Sequence, residues 1–307
     1  GPIPFLHTVD ADMTAYKQGI TRKGSYASYL DISHPDIMEF MSLRIPTGDV
    51  NRKCLNLHHG VNVPDSFMQA LEDNSVWELI DPKTGNQTDT VVARELWETL
   101  LETRYRTGEP YIYFIDKAND AYPQTQKDKG LFSRGSNLCC EITLPTNEER
   151  TAVCCLSSLN LETYDEWKGS KLVADLITFL DNVLTYFIEH APSEISKASF
   201  SASQERSIGV GTMGWHNFLM SKSVPFGSQT AAEYNEEIFS YIKSEAVKQS
   251  LILGEERGEC PDMIGTGRRN ANLLAIAPNA NSSSIAGTSP SIEPIKANAF
   301  VHRTRVG

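Results

Sequence analysis

The chain has 307 residues, of which 40% are hydrophobic, 9% aromatic and 22% charged, with a mean hydropathy of -0.32. That balance belongs to a folded globular protein and argues against both a disordered chain and a helical membrane span. The 28 basic and 39 acidic residues leave a formal net charge of -11, which repels a nucleic-acid backbone in the absence of a segregated basic face, and the sequence shows no such face.

A chain of this size forms either one large α/β barrel-type domain or two smaller ones. With no repeat, low-complexity tract or linker-like shift in composition, one domain with inserted loops is the expectation. Gly1-Pro2-Ile3-Pro4-Phe5-Leu6 has neither an initiator Met nor a charged region ahead of a long apolar run. It therefore does not read as a secretory signal, and the chain is expected to begin mid-protein. The six cysteines, Cys54, Cys139, Cys140, Cys154, Cys155 and Cys260, include two adjacent pairs, a poor disulfide framework that suits a reducing cytoplasm. Adjacent cysteines on extended backbone diverge, so a four-thiolate zinc site is the weaker reading and no metal is assigned.

In chain order, residues 17–25 are polar and turn-rich, Tyr26 to Ile32 reads as extended, and Ile37, Phe40, Met41 and Leu43 have the spacing of a short amphipathic helix. Pro64-Asp65 opens a helix through Phe67, Met68 and Leu71. A second stripe, Val92, Leu96, Trp97, Leu100, Leu101 and Tyr105, ends at Gly108. Tyr111 to Ile115 is a candidate buried strand, and the polar stretch from Lys117 to Arg134 reads as a long surface connection.

Two further apolar stripes, Leu172 to Phe187 and Tyr234 to Leu251, predict long core helices. Between them, Gly209-Val210-Gly211-Thr212-Met213-Gly214 matches G-x-G-x-x-G, and Glu233 falls near the offset of a ribose-binding acid. The segment before it is not a buried strand, so the match reads as a tight strand-to-helix turn and not a dinucleotide site. Leu273 to Ile276 predicts a short strand running into Pro278 to Ile285, a loop of small residues able to cradle an anion or simply to turn.

Chemistry concentrates in Ser136-Asn137-Leu138-Cys139-Cys140-Glu141-Ile142. Asn137, Cys139 and Glu141, two apart, share one face if the segment is extended. An amide, a thiol and a carboxylate then converge as an orienting group, a one-electron or nucleophilic centre and a general base. An edge strand with polar residues outward has the same spacing. Cys54, Cys140, Cys155 and Cys260 are given no role, and His58-His59 is expected to be a solvated pair.

The run resembles the N-L-C-x-E active-site motif of the large catalytic subunit of class I ribonucleotide reductases. Ala152-Val153-Cys154-Cys155-Leu156-Ser157-Ser158-Leu159-Asn160-Leu161 is similar to that family's strand bearing a redox-active cysteine, with Cys154 in the matching position. Pro278 to Ser283 resembles its substrate-phosphate loop. Gln18-Gly19-Ile20-Thr21-Arg22-Lys23-Gly24 resembles the loop that relays effector identity, with Gln18 and Arg22 in recognisable places, and Ile292-Glu293-Pro294 through Gly307 also fits.

The resemblance runs collinearly along essentially the whole chain. It implies an α/β fold, the central part of a ten-stranded barrel built from two half-barrels, with a finger loop carrying the radical cysteine. Residues 1–307 would all be part of the catalytic barrel domain. The effector-binding amino-terminal region, the partner of Cys154, the radical-relay tyrosines and the tail cysteines would lie outside the segment, which alone would be inactive.

By the same resemblance, Cys139 forms a transient thiyl radical that abstracts the ribose 3′ hydrogen, Glu141 accepts the 3′-hydroxyl proton, and Asn137 holds the ribose hydroxyls. Cys154 is one of two reducing thiols, and Asn279, Ala280, Asn281, Ser282 and Ser283 form the phosphate site. Ribonucleoside diphosphates are the implied substrates. The implied partners are a small radical-generating subunit with a metal-radical cofactor, thioredoxin or glutaredoxin, ATP and deoxynucleotide effectors, and a second large subunit in a homodimer. No nucleic-acid polymer or membrane is implied, and the setting is cytoplasmic.

Three alternatives stand beside this reading: a cobalamin-dependent reductase, a non-catalytic nucleotide-binding relic, and an unrelated cysteine hydrolase. Leu138 stands where the cobalamin class typically has Pro. A hydrolase needs a His partner, and none of the seven histidines lies in a recognisable triad context.

Overall fold

The computed structural model of the chain describes residues 1–18, 22–299 and 301, the side chains of residues 17, 18 and 22 excepted. Its contacts form two compact units: residues 1–122 with 133–143, and residues 123–132 with the described residues from 144 onward.

The first unit opens with α1 (Ile3–Ala15) and the paired two-residue strands β1 (Lys17–Gln18) and β2 (Arg22–Lys23). It continues through β3 (Ala27–Asp31), α2 (Ile37–Met41), β4 (His58–Val63), α3 (Asp65–Glu72), the hairpin β5 (Val76–Ile80) and β6 (Gln87–Val92), α4 (Ala93–Thr107), β7 (Tyr111–Phe114) and α5 (Ile115–Asp120). β3, β4 and β7 form a parallel sheet with β4 in the middle. Parallel pairing requires crossovers, which the intervening helices supply while burying one stripe each. Ile37 and Phe40 of α2, Phe67 of α3 and Leu96 and Leu100 of α4 meet Val61 and Val63 of β4 in one core.

Gly108, at φ 80°, ends α4 by donating its N–H to the Arg104 carbonyl, a left-handed cap suited to glycine. The predicted α4 stripe is wider than the buried one: Val92, Leu101 and Tyr105 are exposed.

The second unit contains α6 (Gln124–Lys127), β8 (Leu156–Asn160), α7 (Tyr164–Trp167), α8 (Leu172–His190), α9 (Ser196–Glu205), β9 (Gly209–Met213), α10 (Trp215–Ser221), α11 (Gln229–Arg257) and α12 (Ala280–Ala286). Ile177, Leu180 and Leu184 of α8 share a core with Ile238, Ile242 and Ala246 of α11 and with Leu159 and Val210 of the parallel pair β8 and β9. The strand predicted over Leu273 to Ile276 is reduced to a single parallel bridge between Leu274 and Val210.

That close approach explains the glycine motif. A Cβ on Gly211 would lie 2.2 Å from the Ala275 carbonyl oxygen, and Gly214 at φ 81° makes the turn into α10. A helix, α9, precedes β9, so the strand that a dinucleotide site requires is absent.

Lys117 to Arg134 is not a plain surface connection. It contains most of α5 and all of α6 and buries Tyr122, Gln126 and Ser133. Part of its polarity serves internal hydrogen bonding while much of the rest faces solvent: Ser133 N–H donates to Asn119 Oδ1 at 2.7 Å and Asn119 Nδ2 returns a bond to the Ser133 carbonyl at 3.1 Å.

Charges are also buried in the second unit. Asp181, fully enclosed on α8, receives Arg206 Nε at 2.8 Å and Arg257 Nη1 at 2.9 Å. Burial opposes its ionisation, but the arginines prevail and hold the carboxyl below its ordinary range. Asp262 takes both arms of Arg150, at 2.6 and 3.0 Å. Among the described residues, Glu205 has Ser201 Oγ and Ser207 Oγ as side-chain donors, and burial pushes its carboxyl up to about 7, with Arg150 opposing and Asp262 reinforcing the shift.

Glu205 is therefore protonated in the folded chain up to about pH 7 but ionises from 4.5 when unfolded, so its contribution is complete below 4.5 and fades as the pH rises through 7. The expected loss is on the order of 3 kcal/mol. Urea unfolding of wild type and Glu205→Gln across this range checks the prediction: the substitution should flatten the slope, and equal slopes would contradict it.

Candidate active site

The segment around Cys139 is a turn and not the extended face expected from its spacing. The Cys140 N–H donates to the Asn137 carbonyl at 3.1 Å, and Cys140 itself sits at φ 65°, which reverses the chain. Asn137 Oδ1 accepts the N–H groups of both Glu141 and Ile142 at 3.0 Å, and Ser136 Oγ donates to the Ile142 carbonyl at 2.6 Å. A short amide side chain thus replaces the ladder bonds of a strand. With Oδ1 engaged twice, the group that Asn137 can offer a ligand is its Nδ2 donor.

The turn brings Asn137, Cys139 and Glu141 together within five residues. Cys139 is exposed at its tip, and desolvation, followed by its electrostatic interactions with Glu141 and Cys140, pushes its thiol up. Cys139 is therefore a thiol and not a thiolate near neutrality, the state from which a hydrogen atom is removed. Glu141 is half-buried, and its Oε2 is enclosed without a hydrogen-bond partner among the described residues.

The flanking loop is tied to the sheet by residues that the motif did not reveal. Asn62 of β4 donates through Nδ2 to Asp31 Oδ1 and to the Arg134 carbonyl, each at 2.9 Å. Tyr113 OH donates to Ser133 Oγ at 2.8 Å, and Ser133 Oγ donates to the Gly135 carbonyl at 2.6 Å. A polar Asn between Val61 and Val63 was the available sequence signal.

His58 and His59 are not a solvated pair. Both turn to Glu109, with His58 Nδ1 at 2.6 Å and His59 Nδ1 at 3.3 Å from its carboxylate, and His59 is 1% exposed. Burial raises the Glu109 carboxyl, but the two histidine bonds and the Arg44 charge outweigh it and hold it at about 2, while burial lowers His59. Tyr111 OH is 3.5 Å from His58 Nδ1, and burial, then Glu109 and the cysteines of the turn, raise its phenol. Among the described residues no cluster of three or more His, Cys, Asp or Glu side chains is placed to hold a metal ion.

In the second unit, Cys154 is exposed two residues before β8, while Cys155 is buried with Sγ 3.7 Å from the Leu180 carbonyl. Cys54 and Cys260 are buried as well. The predicted loop at Pro278 is in fact the entry to α12. Asn279, at φ 55°, engages Ser158 Oγ at 3.0 Å and, through Nδ2, the Thr212 carbonyl at 3.1 Å. Its side chain thus braces β8 and β9 at the start of the helix. Ala280, Asn281 and Ser283 line a cleft of about 570 Å³ together with Asn217, Thr288 and Ser289. Ser282 is exposed beside Asn279.

Gln18 and Arg22 are register partners between β1 and β2, but their side chains lie outside the described residues, as do the intervening loop and residues 302–307 of the carboxy-terminal motif. Among the described residues no helix is long and apolar enough to cross a membrane.

Comparison with known proteins gives a consistent answer. The family model for the ribonucleotide reductase barrel domain matches residues 1–266 and 262–307. The chain is 58% identical over 310 residues to a Frog virus 3 (isolate Goorha) protein named "Putative ribonucleoside-diphosphate reductase large subunit", covering 100% of this chain and 55% of that protein. It is 47% identical over 363 residues to the ribonucleoside-diphosphate reductase large subunit of Invertebrate iridescent virus 3, covering 100% and 58%. The solved class Id ribonucleotide reductase alpha subunit of Actinobacillus ureae matches with a TM-score of 0.80 and 36% identity over 90% of this chain and 50% of that one. The chain thus spans little more than half the length of these relatives.

The turn makes its own prediction. Asn137→Ala strands two backbone donors and should speed hydrogen exchange at the Glu141 and Ile142 amides roughly tenfold to a hundredfold, corresponding to about 1–3 kcal/mol. Asn137→Asp, which keeps the acceptor, should restore slow exchange.

Proposed function

Because the chain belongs to the ribonucleotide reductase barrel-domain family, we propose that it is part of the catalytic barrel domain of a class I ribonucleoside-diphosphate reductase large subunit, reducing ribonucleoside diphosphates to deoxyribonucleoside diphosphates. The observation that carries this reading is the Asn137–Glu141 turn, with a protonated thiol at its tip beside a carboxylate oxygen that has no hydrogen-bond donor among the described residues.

In the proposed reaction, the thiyl form of Cys139 takes the 3′ hydrogen of the ribose while Glu141 accepts the 3′-hydroxyl proton. Loss of the 2′-hydroxyl as water follows. Two thiols, Cys154 and a second, provide two electrons and two protons and end as a disulfide, and Cys139 returns the hydrogen to C3′. Asn137 Nδ2 orients the ribose hydroxyls as a donor. The diphosphate lies at the entry to α12, where the first backbone N–H groups lack intrahelical acceptors and Asn281 and Ser283 face the cleft.

A small subunit carrying a metal-radical cofactor would supply the oxidising equivalent to Cys139. Thioredoxin or glutaredoxin would reduce the resulting disulfide, and ATP and deoxynucleotides would act through the segment of Gln18 and Arg22 in a homodimer of the full subunit. The setting is cytoplasmic, a compartment whose reductants return such a disulfide to thiols between turnovers. The class I form is favoured over the cobalamin-dependent one by Leu138.

Deoxycytidine diphosphate formation from CDP by the complete subunit with its small partner tests the proposal against Cys139→Ser. Turnover should vanish while CDP binding persists. Equal turnover in both would remove Cys139 from the chemistry, and binding without turnover in either would favour a nucleotide-binding relic.

A further inference from the structure

Tyr29 occupies the middle of β3, opposite Gly60 in the parallel register with β4. Its ring lies over backbone on two sides. A Cβ on Gly60 would come within 2.3 Å of Tyr29 Cε1, and one on Gly135 within 2.8 Å of Tyr29 Cγ. Tyr113 of β7 closes a third side edge-on, with ring centroids 5.8 Å apart. From this slot the phenol reaches the turn: Tyr29 OH donates to the Asn137 carbonyl at 3.3 Å and lies 3.7 Å from Cys140 Sγ. Burial, with the Cys140 contact next, raises the phenol, so Tyr29 remains a neutral donor through the ordinary pH range.

The Asn137 carbonyl is also the acceptor that closes the turn to Cys140 N–H. One oxygen therefore joins the local turn to the sheet, and Tyr29 is the side chain through which β3 holds it. Glycine at 60 and at 135 is required by the ring and not by backbone conformation, since neither has positive φ.

We propose that Tyr29 is a positioning residue for Cys139, fixing the Asn137–Cys140 turn so that the thiol and Glu141 address the same ribose. This inference rests on the reductase reading above. Hydrogen transfer between heavy atoms requires near-contact geometry, and a small misplacement of the turn lowers the rate without weakening attachment of a distant diphosphate. Tyr29 itself touches no reacting atom.

The test is Tyr29→Phe, which keeps the ring and removes the donor, in the complete subunit with its small partner. Gly135→Ala, which presses the ring from the loop side, serves as a second variant, and melting curves show that both are folded. Hydrogen exchange of the peptide spanning Ser136 to Ile142 should quicken roughly fivefold in Tyr29→Phe. The turnover number for CDP should fall between roughly tenfold and a hundredfold with KM unchanged. Unchanged exchange would overturn the proposal whatever the activity, as would quickened exchange with an unchanged turnover number, or a rise in KM matching the fall in rate. A wild-type enzyme without turnover would overturn the reductase reading and the catalytic purpose of Tyr29 with it, while exchange would still decide whether Tyr29 holds the turn.

Discussion

The side-chain oxygen of Asn137, shared between the N–H groups of Glu141 and Ile142, is the constraint on which the candidate site depends. A chain reversal at a non-glycine residue of positive φ, Cys140, carries a conformational cost that a local hydrogen-bond network must offset. Asn137 Oδ1 accepts two of those bonds, Ser136 Oγ donates another, and the main chain adds two more, Cys140 N–H to the Asn137 carbonyl and Asn137 N–H to the Ile142 carbonyl. The result is a rigid tip that presents a thiol and a carboxylate together, with the loop before it fastened to β4 and β7 through Asn62 and Tyr113.

The second unit uses buried charge where the first uses a polar turn. Asp181, surrounded by Arg206, Arg257 and Arg269, links α8 to α11 and to the segment after it. Such a cluster is weak evidence for net stability, because desolvation offsets much of the attraction, but removing one member would leave the others uncompensated. It ties α8 to α11 beside the core that β8 and β9 share.

Periodic features were legible in the sequence. The stripes of α2, α3, α4, α8 and α11 and the strand β7 follow from apolar spacing, and rejection of the dinucleotide motif followed from the polar segment ahead of it, which is helical. The cysteines of the turn and of the segment before β8 could be singled out by motif. Their geometry could not, because spacing by two describes both an extended face and this reversal, and only the double use of Asn137 Oδ1 decides between them. The His58–His59 pair was misread because its partner, Glu109, lies 50 residues from His59 and is brought to it by β4 and β7 pairing. Lys117 to Arg134 misled for a related reason: side chains that bond one another resemble, in sequence, side chains that bond water.

The proposed role of Cys139 is to remove a hydrogen atom from the ribose. The most direct measurement is turnover of CDP deuterated at the 3′ carbon by the complete subunit with its small partner. A primary kinetic isotope effect on deoxynucleotide formation is expected, with the 3′ deuterium retained in the product. Turnover at the same intrinsic rate as unlabelled CDP, measured where chemistry limits, would contradict it.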